Sequence, residues 1–359
     1  MTTQKGSMNG RWRRPINRRL LPAILLALGI CRIGLAQREF TPDPIQERLI
    51  QTALSKVYID SFPAALSCLD SILSADSGYL PAQIIKAGVI YMDMTDDENY
   101  GSQRRFRILI DSATTAMEKH LADNPRDAWG HFFMGTALGY QAVWEGQHGS
   151  WFKAISRGLK AGKYFSHALE YDTTFYDAYI GLGNLHYWRS AKMGILRNLP
   201  FVPDQRHRGI EELILAIQKS RLSPATSAIG LGWIYVDRKE YDMALALTDS
   251  LIKEGICGRQ VQWLKGFTAH KIGRADKAVE AFETIKNGLI GKGGQNKYNL
   301  IICGYYLGMA YYLNGEKDRA LKNFDEILDY ELSPMVARRA AKTLARAREL
   351  KQKIMFDSK

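Results

Sequence analysis

The chain is 359 residues long and carries 49 Lys and Arg against 37 Asp and Glu, a formal net charge of +12. A balance this basic, with a pI near 9.4, points first to nucleic acid. Seven of the basic residues lie in the first 36, which hold no acidic one, so 42 against 37 remain beyond and nucleic-acid binding loses its main support.

That first segment has its own order. Lys5, Arg11, Arg13, Arg14, Arg18 and Arg19 precede an apolar run over 20–30, Arg32 follows it, and Gly34-Leu35-Ala36 supplies small residues at a cleavage position. Basic region, apolar core and small residues are the order of a secretory signal peptide, over 1–36. The run is shorter than the roughly 20 apolar residues that span a bilayer. A mitochondrial presequence is also Arg-rich and acid-free, but the uninterrupted apolar core favours export, with a mature chain starting near Gln37. Cys31 follows bulky Ile30 and makes a poor lipidation site. Cys68, Cys257 and Cys303 are odd in number and match no metal spacing, so they read as free or buried thiols.

From residue 45 onward a helix–turn–helix unit recurs. A small residue marks each first helix: Ala53, Gly88, Gly135, Gly183, Gly232, Gly266 and Gly308. Each second helix answers with a small-then-bulky pair: Ala65/Leu69, Ala113/Met117, Ala161/Phe165, Gly209/Leu213, Ala244/Thr248, Ala278/Phe282 and Ala320/Phe324. The unit is clearest over 301–334. There Leu307, Gly308, Tyr311, Ala320, Phe324, Ile327 and Leu328 alternate large and small, so that two antiparallel helices interlock. This pattern resembles the tetratricopeptide repeat (TPR). The first unit departs from it with Lys56 where an aromatic is usual, and Thr248 replaces a large apolar residue.

The resemblance implies an all-α, TPR-like superhelical solenoid of about seven repeats over 45–334, because one such unit cannot bury its apolar face alone. No linker divides the array, so 37–359 reads as one domain. The second, third and fourth repeats are long. A plain unit takes 19 steps from its first aligned position to the small residue of its second helix; Pro81 to Ala113 takes 32, and Ala128 to Ala161 and Tyr176 to Gly209 take 33 each. Long hairpins are therefore expected within 81–222.

Their tips differ in composition. Thr95, Asp96, Asp97, Glu98 and Asn99 read as a solvated loop. The next two tips hold Trp144, Trp151, Phe152, Trp188, Met193, Ile195, Leu196, Leu199, Phe201 and Val202 beside Arg189, Lys192, Arg197 and Arg206. They would either pack on each other or form an exposed patch for a partner or a membrane surface. The resemblance also implies a concave groove lined by the first helices. Its inward positions are Trp129, Phe132, Ile180, Asn184, Tyr187, Trp233, Trp263, Phe267, His270, Tyr305, Met309 and Tyr312. Such a lining suits a protein, an extended peptide or an apolar ligand. The basic clamp with which some cochaperone TPR domains hold a terminal carboxylate is mostly missing, since Asn184 and Lys271 alone do not rebuild it.

Catalytic signatures are lacking: no zinc-protease, nucleophile-elbow or phosphate-loop motif occurs. Gly291-Lys292-Gly293-Gly294 lacks phosphate-loop spacing and reads as a turn between units. His131, His148, His167, His186 and His207 fall on different faces without shared carboxylates or thiolates; Glu145 near His148 is the one pair of interest. No metal and no cofactor is expected. Ser333-Pro334 opens a last helix to about Lys353, with Val336, Ala340, Leu344, Ala347 and Leu350 on one stripe and basic residues around it, a capping helix with a polar outer face. The function expected is a non-enzymatic interaction scaffold or adaptor of the bacterial cell envelope. The alternative is a periplasmic binding protein for an apolar small molecule or lipid, enclosed by the long hairpins. A closed, dry cavity would favour the alternative, an open groove the scaffold.

Overall fold

Asp43 fixes the start of the array. Its carboxylate accepts the N–H groups of Ile45 and Gln46 at 2.8 Å each, and the Gln46 side chain accepts the Asp43 N–H at 3.1 Å. With Pro44 in the first turn this is a complete capping box, and α1 runs Pro44–Val57. The computed structural model describes residues 40–98, 100–192, 203–293 and 296–356.

Every described element is helical, and the helices pair as hairpins. The first is α1 with α2 (Phe62–Ala75); the second α3 (Leu80–Asp97) with α4 (Gln103–Asp123); the third α5 (Ala128–Gln147) with α6 (Trp151–Tyr171). A short turn of 3₁₀ helix (Tyr176–Ala178) leads into the fourth, α7 (Tyr179–Lys192) with α8 (Arg206–Lys219). Then come α9 (Pro224–Asp237) with α10 (Tyr241–Lys253), α11 (Arg259–Lys271) with α12 (Ala275–Gly291), and α13 (Lys297–Leu313) with α14 (Lys317–Leu328). Last is α15 (Pro334–Phe356), started by Ser333, whose hydroxyl accepts the Val336 N–H at 3.4 Å. Seven hairpins and a terminal helix make an all-α solenoid.

The interlocking of small and large residues is literal. A Cβ placed on Gly308 would lie 2.7 Å from the Phe324 ring, and one on Gly183 would lie 2.7 Å from the Gly209 carbonyl oxygen. α7 and α8 therefore touch backbone to backbone, a distance no side chain permits. The bulky partners fill the remaining space: Leu69, Met117, Phe282 and Phe324 are fully buried. Ala340, Leu344, Ala347 and Ile354 of α15 are buried too, so this helix closes the end of the apolar stack that α13 and α14 would otherwise bare.

The array also curves back on itself. The Gly258 N–H donates to the Tyr58 carbonyl at 2.7 Å, and the Tyr58 and Thr226 hydroxyls meet at 2.7 Å. The first hairpin thus sits against the fifth and sixth, and one turn of superhelix is closed.

Candidate functional site

Closure is made by charges 163 to 241 residues apart in sequence. Arg259, at the start of α11, donates from its backbone N–H to Asp60 at 2.8 Å and from Nε to Asp96 at 2.7 Å. Lys292 lies 3.1 Å from Asp93 and 3.2 Å from Asp96, with the Phe62 ring centroid 4.7 Å from its ammonium. The side-chain amides of Asn296 and Asn299 donate to the Asp96 carbonyl at 2.7 and 3.2 Å. Arg339 of α15 forks onto Glu98, and Arg221 onto Glu47 at the other rim. The acidic tip of the second hairpin is therefore no solvated loop. Asp96 and Glu98 form one half of a clasp whose other half is Arg259, Lys292 and Arg339. Lys292, in the glycine-rich turn, is an ion-pairing residue.

Behind the clasp the early part of the groove is filled. Leu54, Ile85, Phe132, Tyr140, Ile180 and Thr226 line a half-open pocket of only about 110 Å³. Ligand pockets usually run to roughly 300–1,000 Å³. Trp129 and Phe132 are buried against the Phe175 ring, with centroids 4.7 and 5.4 Å away. Tyr187 is fully buried and its hydroxyl donates to Asp237 at 2.7 Å; burial holds its pKa well above the ordinary phenol range. Tyr305 is buried as well.

The other inward residues stay half-covered. Asn184 bonds its own helix through the Ile180 carbonyl at 2.9 Å. Trp233, Trp263, Phe267, His270, Met309 and Tyr312 are each partly exposed and come from α9, α11 and α13 in turn. Phe267 is the centre of this strip: its ring lies 6.1 Å from Trp233, 5.4 Å from Trp263 in a stacked pair, and 4.7 Å from Tyr306. Tyr306 was not among the inward positions of the sequence pattern, yet its contacts with Phe267 and His270 tie the strip to the next repeat.

The tip residues separate. Trp144 is half-buried, 5.3 Å from Phe106 and stacked 3.9 Å from His148. Trp188 packs edge-on to Tyr187 at 5.1 Å, under Lys192 at 5.2 Å, and Arg189 bonds Gln205. Trp151 and Phe152 stand exposed on α6. Leu196 and Phe201 lie outside the described residues, with Met193, Ile195, Leu199 and Val202.

His131 and His167 meet edge-on, with ring centroids 5.2 Å apart, but the other histidines named from the sequence lie apart from them. His186 pairs with Glu212 at 2.6 Å and His207 with Glu211 at 3.3 Å, while Glu145 pairs with Arg157 at 3.4 Å rather than with His148. Among the described residues no three His, Cys, Asp or Glu are grouped to hold a metal. Cys303 is buried, its thiol donating to the Phe282 carbonyl at 3.1 Å, and burial pushes its pKa up to about 12. That is an inert packing role.

His131 is buried at the foot of an open cleft of about 650 Å³ between α4 and α6. Its Nε2–H donates to the Pro125 carbonyl at 2.9 Å, and its Nδ1 is buried without a partner, as is that of His270. Burial lowers the pKa of both below the ordinary 6.5. Each therefore stays neutral when folded and protonates more readily when unfolded. Their contribution is fully present above the unfolded value and is lost as pH falls through the lowered folded values. Between about pH 7.5 and 5, the melting temperature of the native chain should fall more steeply than that of His131→Gln. Parallel curves would contradict this.

A family model described as tetratricopeptide repeat matches residues 303–330, the hairpin of α13 and α14. A chain of the solved APC/C hetero-tetramer Cut9–Hcn1 superposes over 82% of this chain with a TM-score of 0.52, at 16% identity. The fold is that of a TPR-like all-α solenoid, and its seventh hairpin matches the tetratricopeptide-repeat model itself. The chain spans 47% of that Cut9–Hcn1 chain. Two further TPR structures are alike at lower TM-scores. YrrB, titled a TPR protein with an unusual peptide-binding site, has 18% identity and a TM-score of 0.42, with 63% of this chain and 98% of that one covered. A tetratricopeptide repeat protein from Parabacteroides merdae has 14% identity and a TM-score of 0.39, with 83% and 98% covered. No curated protein matches it in sequence. In this TPR-like solenoid the concave face is closed early and half-open late.

Proposed function

We propose that this TPR-like solenoid is a non-enzymatic scaffold of the bacterial cell envelope, holding a protein segment along the aromatic strip of its last three repeats. The observation that carries the reading is the strip itself. Trp233, Trp263, Phe267 and Tyr312, from three successive first helices, stay partly exposed while Trp129, Phe132 and Tyr187 of the earlier groove are buried. Large rigid rings give contact area at little entropic cost, which suits an extended chain. Export rests on the basic, apolar and small-residue order of 1–36. Against the alternative of an apolar ligand stand the small size of the early-groove pocket, about 110 Å³, and its open mouth.

A photo-crosslinking side chain placed at Phe267 should capture one discrete protein in the envelope fraction, and one at exposed Lys322 on α14 should not. The Trp233→Ala/Trp263→Ala chain should lose that adduct, because a well-packed interface Trp commonly contributes 2 kcal/mol or more. Equal capture at both positions, or an adduct untouched by the Trp substitutions, would remove the strip as the site. Recovery of the protein from the cytosolic fraction would remove the envelope assignment.

A further inference from the structure

α4 and α6 are the second helices of neighbouring hairpins, tied by the Lys160 ammonium on the Glu118 carboxylate at 3.0 Å. Both helices start at their hairpin tips, so the residues preceding this ion pair share the tipward half of one outer face. On α6 that half is bare. Phe152 is 93% exposed and Trp151 66%, and Ile155 and Leu159 continue the stripe at helical spacing, all exposed. On α4, Ile108 is exposed beside Arg104, Arg105 and Arg107.

The charge around these apolar groups is mainly basic, with Lys160 paired to Glu118, Arg157 to Glu145 and exposed Asp111 following Ile108. From 151 to 169 the chain carries Lys153, Arg157, Lys160 and Lys163 and no acidic residue; from 103 to 110 it carries the three arginines and again no acidic one. Lysine is depleted at the centres of protein interfaces. Aromatic and aliphatic side chains on one stripe, edged by Lys and Arg, are instead what a helix lying in a headgroup layer presents. The rings enter the acyl boundary while the long basic side chains reach back to phosphates. No described helix is long and apolar enough to cross a membrane, so contact would be from one side only.

We propose that the tipward face of α4 and α6 docks the protein peripherally on an anionic lipid bilayer. The contact leaves the aromatic strip of the last three repeats free and does not depend on it.

The test is flotation of the full chain with vesicles of phosphatidylcholine, alone or mixed with phosphatidylglycerol. The chain should float with the mixed vesicles, remain behind with pure phosphatidylcholine, and release as salt rises. Phe152→Glu/Ile155→Glu should abolish flotation. Arg104→Gln and Lys153→Gln should each weaken it about fivefold, the effect of one basic residue near an anionic surface. All four positions are exposed, so the melting temperature should not move and loss of binding will not be loss of fold. Flotation that survives Phe152→Glu/Ile155→Glu would place the contact elsewhere, in the basic and apolar first 36 residues above all, and would overturn the proposal. So would equal binding to uncharged vesicles. No flotation, with a protein partner lost from the same variant, would make this face a protein interface and overturn it too.

Discussion

Asp96→Ala is expected to cost about 3 kcal/mol and to open the ring. Asp96 and Arg259 are nearly buried, with side chains 13% and 8% exposed, and Asp96 also faces Lys292 at 3.2 Å. Removing one partner of a buried pair leaves a desolvated charge behind, which costs roughly 3–5 kcal/mol. Asp60 still faces Arg259 at 3.2 Å and Asp93 still faces Lys292 at 3.1 Å, so the low end applies. The amide of Gly258, which donates across the closure to Tyr58, reports the opening directly. Its hydrogen exchange should accelerate roughly a hundredfold. Asp70→Ala, which frees Lys86 from a half-exposed carboxylate, should cost less than about 1 kcal/mol. Equal effects of the two substitutions would mean that the clasp is only surface charge.

Phe282→Ala should be at least as damaging, at about 3–5 kcal/mol by chemical unfolding. Phe282 is fully buried, and its ring contacts Trp263 at 5.9 Å, Phe267 at 5.8 Å and Tyr306 at 5.6 Å. It is also the bulky group that the missing Cβ of Gly266 admits, 2.8 Å from where that atom would stand. Because a solenoid's stability is close to a sum of neighbour contacts, protection should fail first in the last three repeats. Partner capture at Phe267 should weaken with it, since Phe282 sets the angle of the strip. A loss under about 1 kcal/mol would show that these rings rearrange to fill the gap.

The hairpins were legible because their signal is local. Gly308 and Phe324 sit 16 residues apart and touch, and the same offset recurs at Gly266 and Phe282. The clasp was not legible, because its members are far apart and locally unremarkable. Thr95 to Asn99 has the composition of a solvated loop, and Lys292 sits in a glycine turn. Only the curvature accumulated over several hairpins brings Asp96 to Arg259. The same curvature divides the groove aromatics. Phe132 and Trp263 occupy equivalent positions, each three residues before its marker glycine, but the first is buried against Phe175 whereas the second stays partly exposed. Periodicity identifies the inward positions; it does not say how far the superhelix closes over them.

Ring closure can be tested on the unmodified protein with a carbodiimide, which joins an ammonium to a carboxylate without adding a spacer. Lys292 stands 3.1 Å from Asp93 and 3.2 Å from Asp96. Digestion of the cross-linked monomer should yield an amide between Lys292 and one of these two aspartates, lost in Asp93→Asn/Asp96→Asn. A monomer without that link, or the link found only in dimers, would mean that the solenoid is open and that the closed groove does not exist.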